Sequence, residues 1–445
     1  MFSISTNSKQ SSALLAITIL LSALTNNILF GQVKQMDRFE IPIKNDNLSR
    51  FSVASAGENG LIIKNRLIEN KLDRLEITQI DTSMQEVWKG HLEITKELVE
   101  VNSSFRENTL FMLFKSTNYQ YGHFHIAAVD LRNGLSEVFM AKNFIPFSPT
   151  EFIITDQAAL IGGYFNYRPL ILYFDFTTRQ SKILPGFFNE PGELTQLKTL
   201  RDGSIEVIVS TDNFEKKRCL WMRTYDPSGN LVKTIILEPE DKKNLLFGRS
   251  IKIDGQDVVV GTYGRYKEYS RGIFTATVTP NGQYQIRYYS YGDLQHFFSY
   301  LKATREKRIK GRIERKKVKG KKAKFNYRFI VNEVIKTGDN YVMLGEAFYP
   351  QYVYVNGISI RSILIGYHYT HAVVIGFDGD GNLKWDNSFE INDVMTRELE
   401  QFVKIQAKDD KIILQYVFKN QIRTKIISGS EIVEGKTFDE IKLSV

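Results

Sequence analysis

Apolar residues in this chain recur mostly at every second position, in short runs broken by Gly, Asn, Asp and Pro. That pattern predicts strands joined by tight turns. Six stretches share one form: TQIDTSMQEVW (78–88), AAVDLRNGLSEVF (127–139), LYFDFTTRQSKIL (172–184), RTYDPSGNLVKTI (223–235), ATVTPNGQYQIRY (276–288) and IGFDGDGNLKWDN (375–387). Each has an apolar strand end, then Asp81, Asp130, Asp175, Asp226, Thr279 or Asp378, then turn residues and a second alternating strand. An Asp or Thr there can accept from backbone amides further along, while Gly and Asn supply the turn angles. The first five recur at intervals of 45–53 residues. A second hairpin precedes each turn, as in FIITDQAALIGGYF (152–165) and SIKIDGQDVVVGTY (250–263).

Four strands per unit at this period predict an all-β chain: a β-propeller of about seven four-stranded blades. The units fall at about 50–95, 98–142, 151–188, 194–238, 249–291, 327–390 and 402–434, with a short helical, basic insertion at 294–325 between units five and six. A pair of β-sandwiches is the alternative; the even period and the lack of a linker favour the propeller. MDRFEIPI (36–43) is a candidate strand to complete the last blade. In this architecture the repeats resemble those of bacterial exported β-propeller proteins. No WD dipeptide and no kelch double glycine recurs from blade to blade, so the resemblance implies a fold and no particular activity.

ALLAITILLSAL (13–24), with Lys9 ahead of it and small residues near Gly31, reads as an export signal spanning 1–31. Its apolar run is shorter than the roughly 20 residues a membrane span needs. The remainder, 32–445, is expected to be a single extracytoplasmic propeller domain. Cys219 is the only cysteine, which excludes an intramolecular disulfide and a cysteine zinc site. It lies on a strand-like run and is expected to be a buried structural thiol.

Charge changes the picture in one place. Residues 302–324 hold thirteen Lys or Arg against Glu306 and Glu314, a local charge of +11; the whole chain is +9, so the rest sums to −2. A basic pI confined to one segment argues for a local anionic contact or a solvated loop rather than a nucleic-acid-coating surface. DLQHFFSYL (293–301) has Leu294, Phe297, Phe298 and Leu301 at helical spacing behind Asp293, so a short amphipathic helix is expected there. Gly311 and Gly320 interrupt the basic run that follows, which reads as a mobile arm or a long hairpin.

In a propeller the connections between second and third strands, and those between blades, emerge on one face. They are the long, variable ones here, including the basic insertion and YPQYVYVNGISIRSILIGYHYT (349–370). The candidate binding residues on that face are Tyr119, Tyr121, Tyr167, Arg168, Arg265, Tyr266, Tyr269, Arg271, Tyr352, Tyr354, His368 and His371, together with Lys307, Arg308, Arg312, Arg315, Lys316 and Lys317 of the insertion. Tyr and Arg favour interfaces because each joins a flat apolar body to a polar tip.

Catalytic chemistry is weakly signalled. No nucleophile elbow, phosphate loop or dinucleotide fingerprint occurs. His123 and His125 share a strand face without an evident third ligand, and DGDGN (378–382) lacks the Gly and Glu of a calcium loop. Glu190 and Glu193 flank Pro191 and Gly192 without a reason to pair catalytically. No cofactor or metal is expected. The reading is a binding or scaffold module engaging another envelope protein or an anionic surface polymer or glycan. Peripheral membrane contact is compatible with it and nucleic acid is disfavoured. The rival is an extracytoplasmic propeller enzyme, a glycan hydrolase or lyase.

Overall fold

A computed structural model describes residues 39–41, 49–68, 72–117, 122–187, 191–253, 255–338, 340–355, 361–408 and 410–440. The expected export signal lies outside these residues, as does most of the 36–43 stretch. The chain divides into two compact units: residues 37–401, and residues 402–445 with 1–36.

The described residues form seven antiparallel sheets, at 49–94, 98–141, 148–183, 192–237, 244–290, 328–390 and 404–440. Each is a four-stranded meander in which sequence neighbours are spatial neighbours; sheet six gains a short fifth strand, Met395–Thr396. This is the blade pattern of a β-propeller. Within residues 37–401, the first strands of sheets one to six lie beside one another in succession.

Burial explains the sequence pattern. In the second strand of sheet three, Ala158–Phe165, Ile161 packs with Leu113 and Phe124 of sheet two, while the adjacent Leu160 packs with Val207 and Tyr225 of sheet four. Val258 and Val260 of sheet five face Val331 and Met343 of sheet six, and Val259 faces Ile208 and Leu220 of sheet four. Alternate residues point to opposite faces, so a strand between two neighbours is apolar throughout. In the other unit, Ile412, Leu414, Tyr416 and Ile427 of sheet seven are buried, and the Phe402 ring lies 5.4 Å from Tyr416.

The turns at the third-to-fourth strand connections form as their side chains dictate. Asp81 accepts from the amides of Ser83 and Gln85, Asp175 from Thr177 and Thr178, and Asp226 from Asn230. Asp378 is taken up in the same way by the Asn382 amide at 2.8 Å, so DGDGN is a hairpin turn.

First strands carry β-bulges at Glu100/Asn102, Leu194/Gln196, Leu245/Phe247 and Val331/Glu333. Opposite two of them the second strand needs a residue without a side chain. A Cβ on Gly261 would sit 1.9 Å from the Phe247 carbonyl oxygen, and one on Gly345 2.2 Å from the Phe329 ring. Gly261→Ala and Gly345→Ala are each expected to lower stability by about 1–3 kcal/mol through overpacking, read as a shift in the urea unfolding midpoint; an unchanged midpoint would contradict this close approach.

Candidate functional site

The segment leaving sheet five is fastened before it becomes basic. Tyr291–Asp293 forms one 3-10 turn, in which Asp293 accepts from the Ser290 amide at 3.0 Å. Leu294, Phe297 and Phe298 are buried among Val258, Ile273, Phe329 and Ala347 of sheets five and six. The amides of Gln295 and His296 donate to the Asp386 carboxylate on the outer strand of sheet six, at 2.8 and 2.7 Å. The helix expected at 293–301 therefore does not form. Its apolar spacing serves aromatic insertion into the core instead, with Asp386 satisfying the amides.

The helix forms one step later, at Ala303–Val318, through the stretch expected to be a mobile arm or hairpin. Glu306 in its first turn and Arg315, Lys316 and Lys317 in its last turn suit the helix dipole. Glu306 also accepts from Ser299 at 2.9 Å and pairs with Lys310 one turn on at 2.6 Å, and these bonds hold its carboxyl below the usual range. Gly311 costs about 1 kcal/mol relative to Ala and is tolerated. Gly320, φ +62°, is the stop: its amide bonds the Lys317 carbonyl and the Lys321 amide bonds that of Lys316. Ile309 and Ile313 rest against the core, and Arg312 lies over the Phe325 ring at 5.8 Å.

This seating leaves all eight helix cations exposed: Arg305, Lys307, Arg308, Lys310, Arg312, Arg315, Lys316 and Lys317. Among the described residues only Lys310 of these forms an ion pair. A groove of about 820 Å³ runs between the helix and residues 290–295, with Lys310, Lys317, Lys321 and Lys322 on its walls and Asp293 and Glu314 among them.

Residues 349–355 and 361–370 are strand extensions rather than loop. Strands Asn340–Val355 and Arg361–Asp378 stay paired far beyond Arg328↔Phe348, where the first strand of sheet six begins. The ribbon so formed is braced at its base by Met395–Thr396, which pairs with His368 and Tyr367. Tyr349 stacks on His368 at 4.9 Å. Tyr352 and Tyr354 lie further out, both exposed. Ribbon and basic segment leave the sheets at the same edge, since Phe348 pairs with Arg328 just after the insertion returns.

A third group joins them from sheet five. The guanidinium groups of Arg265 and Arg271 lie 5.9 and 6.0 Å from the Tyr266 ring, and Arg328 lies 5.3 Å from Tyr269. The Ser270↔Tyr327 bridge ties this connection to the end of the basic insertion. Tyr167 and Arg168 stand apart on sheet three: Asn166 and Tyr167, both with positive φ, form a two-residue turn that exposes them. Tyr119 and Tyr121 lie outside the described residues.

His371 is not a surface group. It is fully buried, stacked on Tyr300 at 3.7 Å and edge-on to Phe297, with Nδ1 2.9 Å from the Thr370 hydroxyl. Its side-chain type gave no hint of this burial. His123 accepts from the Asn143 amide at 3.2 Å beside a cavity of about 260 Å³ between sheets two and three. Among the described residues no group of three or more His, Cys, Asp or Glu is placed to hold a metal. Cys219 is buried, which pushes its thiol up to about 12.

Sequence reading missed the buried carboxylates. Glu206 sits against Ser250, Gln196 at 3.3 Å and Lys198 at 3.1 Å, and Glu346 accepts from Asn332. Desolvation raises the carboxyl of Glu151, half-buried on the first strand of sheet three. Gln196 and Lys198 reach Glu206 across one hairpin, while Ser250 comes from the neighbouring sheet, 44 residues away, and only the folded chain brings it there.

No family model and no curated protein matches the chain. Similar solved structures include the β-propeller domain of the Trilobed protease from Pyrococcus furiosus, at 12% identity over 76% of this chain and 82% of that one, TM-score 0.39. Polysaccharide lyase Uly1 shares 10% identity over 76% and 80%, TM-score 0.42. The Dos1 propeller shares 11% over 87% and 81%, TM-score 0.43. Likenesses of this size carry no argument about what the chain does.

Burial lowers the His371 imidazolium to about 3 from an ordinary 6.5. Below 6.5 the unfolded chain therefore binds a proton that the folded one refuses, and stability falls as pH drops toward 3, by up to about 1.4 kcal/mol per pH unit. His371→Phe is expected to flatten the pH dependence of unfolding free energy between pH 6 and 4 by up to that slope; an unchanged slope would contradict the buried, neutral ring.

Proposed function

We propose that the chain is an extracytoplasmic propeller-type binding module that engages an anionic partner through the face bearing the basic helix. The carrying observation is the helix itself: eight exposed cations, one of them in an ion pair, on a segment pinned by buried aromatics. Cations on a solvated coil would lose conformational entropy on binding, whereas this helix is already ordered. The Arg265, Tyr266, Tyr269 and Arg271 group adds flat aromatic and guanidinium surface at the same edge. The glycan-enzyme reading has less support, because the buried carboxylates of Glu206 and Glu346 are taken up by neighbouring amide and hydroxyl groups.

The test is a titration of fluorescent dextran sulfate, as a model polyanion, against the full chain at rising salt. Binding should weaken steeply with ionic strength. Converting Arg308, Arg312, Arg315 and Lys316 together to Gln should weaken it by about tenfold or more, a change of about 1.4 kcal/mol. Equal affinity of this variant and the parent would sink the reading.

A further inference from the structure

The ribbon of sheet six differs from an ordinary sheet edge in being apolar on both faces. Directly opposed residues in an antiparallel pair share a face, and successive residues alternate. Tyr352 opposes Leu364 on one face, and Val353 opposes Ile363 on the other. All four are substantially exposed, at 46%, 42%, 45% and 52%, and Tyr354 beyond them is 70% exposed. The first strand of sheet six stops at Arg328↔Phe348, so from Tyr349 outward the two strands have mainly each other, braced only at the base. Tyr349–Val355 amounts to a projection of roughly 20 Å at ordinary strand rise.

A protein partner laid on a ribbon covers one of its faces, leaving the opposite apolar pair in water. A medium that surrounds the ribbon covers both. The boundary between lipid headgroups and acyl chains is such a medium, and tyrosine is enriched there because its ring sits in the apolar layer with its hydroxyl among the headgroups. Charge points the same way. The helix cations lie at the same edge of the sheets, and a cationic cluster beside an apolar projection suits an anionic bilayer surface. Among the described residues no helix is long and apolar enough to cross a membrane, so the contact at issue is interfacial.

We infer that the anionic partner is a lipid bilayer surface, entered by the ribbon at Tyr352–Tyr354 and Ile363–Leu364 and held electrostatically by the basic helix. This rests on the binding reading above, with the partner made specific. The ribbon supplies depth and the helix supplies selection for negative headgroups. Each helix cation brought to the surface should raise vesicle partitioning by about fivefold.

The experiment floats the full chain with phosphatidylcholine vesicles, and with vesicles equimolar in phosphatidylcholine and phosphatidylglycerol. Three forms are compared: the parent, a ribbon variant (Tyr352→Thr, Tyr354→Thr, Ile363→Thr, Leu364→Thr), and a Tyr354→Trp reporter read with brominated lipid. Thermal unfolding of the ribbon variant checks that it folds; threonine keeps strand propensity at these exposed positions. The parent should bind only the anionic vesicles. The ribbon variant should bind them at least about tenfold more weakly, a clearly larger loss than any it shows for dextran sulfate. Brominated lipid should quench the reporter.

Dextran sulfate binding without vesicle binding would overturn the lipid inference and leave the binding reading standing. Vesicle binding that ignores the ribbon changes, with an unquenched reporter, would overturn insertion and reduce the contact to charge. A single protein cross-linked through position 354 in native envelopes, with no lipid contact there, would assign the ribbon to a protein partner and overturn the inference. Failure of both polymer and vesicles to bind would bring down the inference and the reading together.

Discussion

Strands apolar on both faces cannot be satisfied by one sheet. Leu160 and Ile161, or Val258 and Val259, need a neighbouring sheet on each side. At about 25 cal/mol per Å² of apolar surface removed from water, this sheet-to-sheet burial is the dominant favourable term. It makes the strand bodies intolerant of change, as the close approach at Gly261 illustrates. Freedom is left to the connections, and two of them, both at sheets five and six, have been enlarged.

What converts one enlargement from a run of charge into a surface is aromatic anchoring. Tyr291, Phe297 and Phe298 enter the core between sheets five and six, Tyr300 stacks on His371, and Asp386 holds two amides of the same segment. Without those contacts a segment with so many like charges has little reason to stay helical, since like charges one turn apart repel. With them, Ile309 and Ile313 have a surface to rest on and the cations are presented in fixed order. The second enlargement needs no anchor of its own, because it continues a ladder that starts in the body of sheet six.

Much of the fold was legible because its signals are local. An Asp that opens a run of turn residues between two alternating stretches marks a turn, and period-two alternation marks the strands beside it. The helix was misplaced because Leu294, Phe297, Phe298 and Leu301 have helical spacing, and nothing nearby in sequence reveals Asp386, 91 residues from Gln295. Gly320 was read as an interruption, where its positive φ makes it the terminator. The ribbon was read as a loop because its strands are continuous with those of the sheet and no turn signal marks where the sheet ends. Nor does the sequence show that His371 is buried while Tyr352 is bare, since burial belongs to the neighbours and not to the residue type. The network of Gln196, Glu206 and Ser250 was out of reach for the same reason.

Whether the basic segment is a fixed surface or a tether decides the rest, and amide hydrogen exchange reads it directly. If the helix is seated by Ile309, Ile313 and the aromatic anchor, the amides of residues 307–317 should exchange slower than an unstructured peptide by a factor on the order of 100. They should also lose that protection when Phe297 and Phe298 are replaced by Ala. Exchange at peptide rates in the unaltered protein would mean a mobile arm, and would contradict a preformed cationic face.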